Sequence, residues 1–274
     1  FYKQAVINYF RCMNLDLKNK IAFVCGSTQG IGKATAIELA LMGAKIVLIA
    51  RNEIALRNTV AELNEINKFE NSFIVADFSD PEQLRNLLNN FILEHGAAHI
   101  LVNNTGGPPA GKITDAKTHE FITAFNNHLI CNHILAEALI PFMKEAKFGR
   151  IVNIISTSVK QPLKGLGVSN TIRAAVANWA KTLSIEVAPF GITVNNVLPG
   201  ATSTARLQGI ISNKSIKSNE SIDKISQEML AEIPAGRFAS AEEIANAVAF
   251  LASPAAAYIN GINLPVDGGR TGCL

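Results

Sequence analysis

The sequence predicts a single doubly wound α/β domain, in which helices cover both faces of a seven-stranded, mostly parallel sheet. Two observations lead to this fold class. Seven short runs rich in β-branched residues recur along the chain, and most of the intervals between them carry apolar residues at three- and four-residue spacing. Each run is also too apolar to face water, which is typical of parallel strands buried on both faces.

The predicted strands follow one another from Lys20 with little interruption. They are KIAFVC (20–25), KIVLIA (45–50), SFIVA (72–76), HILVNN (99–104), RIVNII (150–155), ITVNNV (192–197) and INLPV (262–266). Helical spacing is clear at 31–41, 54–63 and 84–93, and Ser240 with Glu243 predicts a capping box before the last helix.

No internal repeat and no Pro/Gly linker divides the chain, so we expect one domain over residues 13–274. Residues 1–12 are expected to be an extension outside this fold, because MNLDLKNK from Met13 is typical of a natural start. One segment breaks the alternation: the Ser/Lys/Asn-rich stretch 205–236 is far longer than an ordinary strand-to-helix connection. Its composition offers few apolar anchors, so we expect a mobile segment, either a lid-like insertion over a site or a surface loop.

The bulk composition excludes several function classes. With 48% apolar and 17% charged residues in 274, the chain is typical of a compact protein rather than a disordered one. A net charge of +3 with scattered Lys and Arg argues against nucleic acid as a partner, and no apolar run is long enough to span a membrane. The four cysteines lack metal-ligand spacing, which favours reduced thiols, a cytoplasmic location and no metal site.

A glycine-rich turn follows the first strand. GSTQGIG places Gly26, Gly30 and Gly32 where a strand passes into a helix. Such a turn lets backbone N–H groups approach a phosphate, whose charge the helix N-terminus favours. The alternative is a tight strand-to-helix turn without a ligand.

Charged residues follow the next two strands. Arg51 lies about 20 residues past the glycines, where an arginine suits the 2′-phosphate of NADP and an acid would suit the ribose of NAD. The alternative is a solvated surface arginine. Asp77 after the third strand either hydrogen-bonds an adenine or caps the helix that begins near Pro81.

Polar residues or glycines also follow the fourth, fifth and sixth strands. They are NNTGG (103–107), Ser156, and Pro199-Gly200 with Thr202 and Thr204. Ligands of doubly wound sheets bind outside the carboxyl ends of the strands. A dinucleotide along this edge explains all six strand ends.

These motifs resemble those of the short-chain dehydrogenase/reductase family over residues 17 to about 270. GSTQGIG resembles its cofactor loop, NNTG its NNAG motif and VNNVLPGATST its segment around the nicotinamide, and the tail from AGRFASAEE is similar to the 3-oxoacyl-acyl-carrier-protein reductase branch. The resemblance implies a Rossmann-type sheet, NADP(H) and a homo-oligomer, a dimer or usually a tetramer. It also implies cofactor contacts from Gly26, Thr28, Gln29, Gly30, Ile31, Gly32, Arg51, Asp77, Phe78, Asn104, Thr105, Gly106, Arg173, Pro199, Gly200, Thr202 and Thr204.

The active-site residues that the resemblance implies are only partly present. The family uses an Asn, a Ser, a Tyr and a Lys; the serine corresponds to Ser156. By the family's spacing, the tyrosine position holds Ser169 and the lysine position Arg173. The asparagine position holds His128, with Asn127 one residue away as an alternative. The chain's tyrosines are Tyr2, Tyr9 and Tyr258, so rescue by another phenol would have to come from a distant part of the chain.

Three hypotheses for function follow. The first is an NADP(H)-dependent oxidoreductase acting on a small-molecule ketone or acyl thioester, in which Ser156 polarises the carbonyl and Arg173 holds the nicotinamide ribose. His128, Lys160, Lys164 or an ordered water would then donate the proton, and His128 has the most suitable reference pKa, about 6.5. His128 is equally well explained as a hydrogen-bonded histidine on an interface helix. The second is a protein that binds NADPH without catalysis; a purely structural scaffold fits the polar strand ends less well.

Overall fold

The computed structural model describes residues 13–273, and the proposed extension 1–12 lies outside the described residues. The fold class is confirmed, and the sheet is parallel throughout rather than mostly parallel. Its strand order is β3-β2-β1-β4-β5-β6-β7. The strands are β1 (Ile21–Cys25), β2 (Lys45–Ala50), β3 (Ser72–Val75), β4 (Ile100–Asn103), β5 (Gly149–Ile154), β6 (Ile192–Pro199) and β7 (Asn263–Val266).

Helices cover both faces of the sheet. They are α1 (Gly30–Leu41), α2 (Glu53–Asn67), α3 (Pro81–His95), α4 (Thr118–Phe125), α5 (Cys131–Glu145), α6 (Gly167–Val187), α7 (Ala205–Ser218), α8 (Ile222–Ala231) and α9 (Ala241–Ala252). The predicted capping box of Ser240 and Glu243 opens α9.

Alternate residues of the strands enter two separate cores. On β1, Val24 joins a cluster with Leu39 of α1 and Val248 of α9, whereas Phe23 joins a cluster with Leu84 of α3 and Leu135 of α5. This separation follows from the two-residue period of a strand, and it explains why the strands are apolar on both faces. The strand order reverses direction between β1 and β4, so their carboxyl ends border the crevice in which such sheets bind ligands.

A ladder of four asparagines crosses the sheet, and the sequence analysis did not predict it. The strand register sets Asn103, Asn153, Asn196 and Asn263 side by side on β4, β5, β6 and β7. Each side-chain amide donates to the next at 2.8 Å. The ladder therefore fixes the relative positions of the strands whose ends carry the candidate site.

The expectation of few apolar anchors in 205–236 was wrong. The segment forms the two helices α7 and α8, and Leu207, Ile211, Ile225 and Met229 form a buried cluster of their own. Pairs of apolar residues four apart on each helix produce this cluster, because such residues share one helix face. Whether the helices act as a lid remains a prediction.

Two further expectations concern the state of the cysteines and the presence of membrane-spanning helices. Cys25 and Cys131 are buried, Cys273 is exposed, and all three are free, whereas Cys12 lies outside the described residues. Within residues 13–273, no helix has the length and apolarity needed to cross a membrane.

Candidate active site

The turn after β1 is built for close backbone approach. Gly26 adopts φ +57°, and a Cβ there would lie 2.6 Å from the carbonyl oxygen of Asn104, while a Cβ on Gly32 would overlap the carbonyl oxygen of Gly26. The side-chain amide of Asn104 donates to the carbonyl oxygens of Cys25 and Gly26 at 3.3 Å. The glycines therefore let this turn contact the loop after β4 directly, and larger residues would separate the two.

Two helix N-termini meet beside this turn. Gln29 precedes α1 without a side-chain capping bond, and Thr204 precedes α7 in the same way, because its hydroxyl donates to the carbonyl of Thr202 instead. A Cβ on Gly30 would lie 3.3 Å from Cγ2 of Thr204, and the first turn of neither helix carries an acid. Free N–H groups and two positive dipole ends suit an anion such as the diphosphate of a dinucleotide.

Other proposed cofactor residues lie on both sides of the crevice at the carboxyl ends of the strands. Thr28 is half-buried in the turn and Ile31 packs against the first core. On the far side of the crevice, Pro199 ends β6, the backbone N–H of Gly200 donates to the carbonyl of Val266, and Thr202 donates to the carbonyl of Gly200.

Arg51 and Asp77 lie at the same strand edge, and both are exposed enough to meet a ligand. Nη1 of Arg51 lies 4.0 Å from a carboxylate oxygen of Asp77. The alternative that Asp77 caps α3 was wrong. The carboxylate of Asp77 accepts from Ser79 N, and Asp80 is the cap, accepting from Gln83 N at 3.0 Å. The ring of Phe78 packs against the second core.

Ser156 lies just after β5 and opens a short 3₁₀ turn, Thr157–Val159. Its oxygen accepts a hydrogen bond of 3.1 Å from Ser158 N. Because that bond uses a lone pair, the hydroxyl proton is left to donate to a ligand oxygen.

Ser169 and Arg173 are both buried on α6, which packs against the 3₁₀ turn that Ser156 opens. Arg173 is 8% exposed, and its Nη1 donates to the carbonyl of Ile154 at 3.3 Å. Burial and the neighbouring Arg206 lower the pKa of Arg173 to about 10. The guanidinium therefore remains protonated at neutral pH and places a positive charge beneath the site.

His128 lies in a π-helical turn, Asn126–Ile130, between α4 and α5. It is 2% exposed, and its Nδ1 lies 2.5 Å from the hydroxyl oxygen of Thr105. Burial, and then the charges of Arg173 and Arg206, lower the pKa of His128 to about 2. The reference pKa of 6.5 therefore does not apply, and the expectation that rested on it was wrong: the imidazole is neutral at physiological pH.

Asn127, the alternative to His128, lies elsewhere. With its amide oriented to donate, Nδ2 of Asn127 lies 2.7 Å from the carbonyl oxygen of Phe78 and 3.2 Å from that of Thr123. His128, by contrast, contacts Thr105 in the loop after β4 and lies near Arg173. The π turn thus directs the histidine rather than the asparagine to the candidate site.

Arg206 is a site residue that the sequence analysis missed. It lies in the first turn of α7, and its Nη2 donates to the carbonyl of Pro108 at 2.9 Å. A Cβ on Gly107 would lie 3.0 Å from the same Nη2 and 3.6 Å from Nη2 of Arg173. The signal in the sequence was the position of Arg206 directly after the polar end of the sixth strand.

Two of the other proposed proton donors lie at exposed positions. Lys164 is exposed in the loop before α6, and Tyr258 is fully exposed. Lys160 ends the 3₁₀ turn, and its carbonyl accepts from the thiol of Cys273. Gly106 is exposed, with open space where a Cβ would stand.

The chain is similar to known reductases along most of its length. A family model described as enoyl-(acyl carrier protein) reductase matches residues 26–271. The 3-oxoacyl-(acyl-carrier-protein) reductase of Haemophilus influenzae is 34% identical, with 92% of this chain and 98% of that protein covered, and the NADPH-dependent reductase BacG of Bacillus subtilis is 30% identical, with 92% and 98% covered.

The solved structures extend this likeness to the fold. L-sorbose reductase from Gluconobacter frateurii, complexed with NADPH and L-sorbose, superimposes with a TM-score of 0.89 at 31% identity, covering 96% of this chain and 100% of that one. The names of these relatives differ in substrate but agree in the class of reaction. The chain belongs to the short-chain dehydrogenase/reductase family of oxidoreductases.

Proposed function

We propose that the chain is an NADP(H)-dependent oxidoreductase that reduces a carbonyl, 3-oxoacyl-like or another small ketone, or oxidises the corresponding alcohol. The observation that carries the proposal is the meeting of two uncapped helix N-termini, at Gly30 and Thr204, on the sheet edge that also holds Ser156 and Arg173. The NADPH named for BacG and for L-sorbose reductase supports the choice of cofactor.

The residues along this edge would divide the cofactor between them. Gly26, Thr28, Gln29, Gly30, Ile31 and Gly32 would hold the diphosphate with Thr204, and Arg51 would hold the 2′-phosphate. Asp77 and Phe78 would border the adenine. Asn104, Thr105, Gly106, Pro199, Gly200 and Thr202 would border the nicotinamide half, and Arg173 its ribose. The bound cofactor supplies or accepts a hydride at the reacting carbon.

Ser156 and Arg173 provide the chemistry of the chain itself. The hydroxyl of Ser156 donates to the carbonyl oxygen, since its own oxygen is held by Ser158 N. The buried guanidinium of Arg173 favours the negative charge that develops on that oxygen through its field rather than by direct contact, because a fixed charge in a site shielded from water acts over some distance.

The proton does not come from an imidazolium. His128 is neutral at physiological pH and Arg173 remains protonated, so neither exchanges a proton there. In this proposal Ser169 stands at the family's tyrosine position without a phenol. In the proposed reaction a water molecule protonates the alkoxide, the hydroxide that remains exchanges with bulk solvent, and His128 with Thr105 orients the groups around the water.

The protonation states of His128 and Arg173 favour a second candidate function. A site whose buried groups do not exchange a proton near neutral pH also suits a protein that binds NADPH without reducing anything. Such a protein would keep the helix N-termini and Arg51, and it would act as a sensor of NADPH or as an inert subunit of a mixed oligomer.

NADPH oxidation separates the two candidates. The parent, Ser156→Ala and the surface control Ser218→Ala are assayed on a panel of ketones and 3-oxoacyl thioesters. We expect slow turnover that survives Ser218→Ala and falls by about 100-fold or more in Ser156→Ala. A parent that binds NADPH tightly in calorimetry, yet oxidises it no faster than Ser156→Ala on every compound, leaves the binding protein as the function.

Two further aspects of the proposal concern the setting of the enzyme. The free thiols Cys25, Cys131 and Cys273 are consistent with a reducing, cytoplasmic environment. We expect a homo-oligomer, a dimer or tetramer, and the exposed apolar side chains Ile122 and Phe125 on α4 are consistent with it.

A further inference from the structure

Two arginines from different helices direct their guanidinium groups to the same side of Gly107. A Cβ built on Gly107 would lie 3.0 Å from Nη2 of Arg206 and 3.6 Å from Nη2 of Arg173. Each side chain is held by one backbone carbonyl, that of Ile154 for Arg173 and that of Pro108 for Arg206. The missing side chain of Gly107 therefore lets both guanidinium groups approach the same point of the loop after β4.

The two guanidinium groups beside Gly107 carry positive charge without a counter-ion from the described residues. Within residues 13–273, neither guanidinium forms an ion pair with a carboxylate, whereas the exposed Arg237 pairs with Glu243. Arg173 is buried, Arg206 is partly desolvated, and His128 beside them is neutral. Two like charges this close destabilise each other, and a bound anion would remove that repulsion.

We propose that Arg173 and Arg206 together bind a carboxylate of the substrate, so that the substrate class is a small oxo acid, or the corresponding hydroxy acid, rather than a neutral ketone. The inference rests on the proposed oxidoreductase function for the identity of the reacting carbonyl. A carboxylate presents two oxygens in one plane, which suits the paired N–H groups of a guanidinium. Arg173 forms the floor of this subsite and the more exposed Arg206 its entrance.

The placement of the two arginines also fits the reaction. Arg173 is tied to the carbonyl of Ile154, two residues before Ser156, so a carboxylate held there lies close to the hydroxyl that polarises the carbonyl. Substrates with the carboxylate near the carbonyl, 2-oxo and 3-oxo acids, meet this requirement. A long acyl thioester has no carboxylate to place between the arginines.

The phosphates of the cofactor are the other anions that could approach this edge. Their proposed place is where Gly30 meets Thr204. Arg206 follows Thr204 by two residues, but its side chain contacts Pro108 and approaches Gly107, in the loop after β4, instead. This direction separates the carboxylate subsite from the diphosphate subsite, and the experiment distinguishes the two.

Calorimetry in the presence of saturating NADP⁺ tests the inference without turnover. An oxidised cofactor cannot reduce an oxo acid, so binding is measured whether or not the protein catalyses a reaction. The probes are short-chain 2-oxo and 3-oxo acids, each compared with its methyl ester. The variants are Arg206→Met, which removes the charge at similar length, Arg206→Lys, which keeps it, and the surface control Arg237→Met.

We expect an acid to bind the parent and Arg237→Met about tenfold or more tightly than its ester, and Arg206→Met to lose most of this preference, with Arg173 keeping the remainder. Arg206→Lys should keep part of the preference, and NADP⁺ affinity should not change in any variant. Equal affinity of the parent for acids and esters overturns the inference, as does a preference in Arg206→Met that is as large as in the parent. A loss of NADP⁺ affinity in Arg206→Met with the preference intact assigns Arg206 to the cofactor phosphates and also overturns it.

The parent comparison of acid and ester decides the question even if a variant does not fold. A protein that prefers acids through Arg206 but never oxidises NADPH contradicts the proposed function and leaves the carboxylate subsite standing. A protein that reduces neutral ketones and oxo acids equally well supports the proposed function and overturns the carboxylate subsite.

Discussion

Nδ1 of His128 lies 2.5 Å from the hydroxyl oxygen of Thr105 and joins the π-helical turn between α4 and α5 to the loop after β4. The imidazole is buried, and its pKa is lowered to about 2 by burial and by Arg173 and Arg206. A neutral imidazole that accepts or donates one bond to Thr105 is therefore part of the site's framework at physiological pH.

This lowered pKa predicts how stability depends on pH. Between pH 6.5 and 2 the unfolded chain binds a proton on His128 that the native protein does not. The free energy of unfolding therefore falls as the pH is lowered through this window, by about 1.4 kcal/mol per unit, and the contribution is complete above pH 6.5. From pH 7 to 5 the parent should lose about 2 kcal/mol more than His128→Gln. Urea denaturation at both pH values measures the difference, and parallel losses in the two proteins would contradict it.

The asparagine ladder predicts a large effect of a substitution at its centre. Asn153 accepts from Asn103 and donates to Asn196, both at 2.8 Å and all buried. Asn153→Ala leaves a buried donor and a buried acceptor without partners and should lower the free energy of unfolding by roughly 2–5 kcal/mol. Asn263→Ala, at the half-buried end, should cost about 1 kcal/mol because water can replace the lost partner. Urea denaturation measures both effects, and a midpoint of Asn153→Ala as high as that of the parent would show that the ladder carries no stability.

Much of the fold follows from periodicity in the sequence. Residues 20–25, 45–50 and 192–197 were assigned to strands because apolar β-branched residues are continuous there, and the observed strands agree within about two residues. The insertion was misjudged because its polar composition received more weight than the four-residue spacing of Leu207 with Ile211 and of Ile225 with Met229. The ladder was not predictable, since the register of the strands brings together asparagines that are separated by 40 or more residues.

The candidate site could be predicted only where its residues form local motifs. The glycine turn and the residues after each strand have a pattern in the sequence, and the structure sets them along one edge. Arg206 follows the polar end of the sixth strand, but that position alone did not show its contact with the loop after β4, which depends on the path of α7 back to Pro108. The pKa of His128 likewise depends on burial and on cations that are distant in sequence, neither of which a reference value contains.

Arg51 should determine the choice between the two nicotinamide cofactors. Its guanidinium is 77% exposed and lies only loosely beside Asp77, so it is available to a phosphate. We expect NADPH to bind more tightly than NADH by roughly 1.5–3 kcal/mol, and Arg51→Ala to remove most of this difference while leaving NADH affinity unchanged. Calorimetry with both cofactors measures it. Equal affinities of the parent for NADPH and NADH would show that Arg51 has no such role.

The cluster under α7 and α8 should control the closure of the insertion. Ile211→Ala removes buried side-chain volume and should destabilise these helices by roughly 2–4 kcal/mol, whereas Ile216→Ala, on the exposed face of the same helix, should have an effect within about 0.5 kcal/mol. Amide exchange in 205–231 should become faster in Ile211→Ala, and NADPH with substrate should slow it in the parent. Exchange in the free parent as slow as in the central strands, and unaffected by ligands, would contradict a lid.

The double change Ser169→Tyr with Arg173→Lys restores a phenol and an ammonium four residues apart on α6. If the two residues merely shape a nucleotide pocket, carbonyl reduction should rise, because a phenol near an ammonium is a suitable proton donor. We expect the opposite. Ser169 is 9% exposed, so a phenol there occupies space that substrate or water needs, and a lysine loses the bond from Nη1 of Arg173 to the carbonyl of Ile154. The turnover that requires Ser156 should therefore fall by about tenfold or more. NADPH oxidation is followed for the parent, the double variant and Arg173→Lys alone, with NADPH affinity and the melting temperature as controls for folding. A double variant that folds, binds NADPH as the parent does and reduces ketones faster would show that the parent site lacks a working proton path.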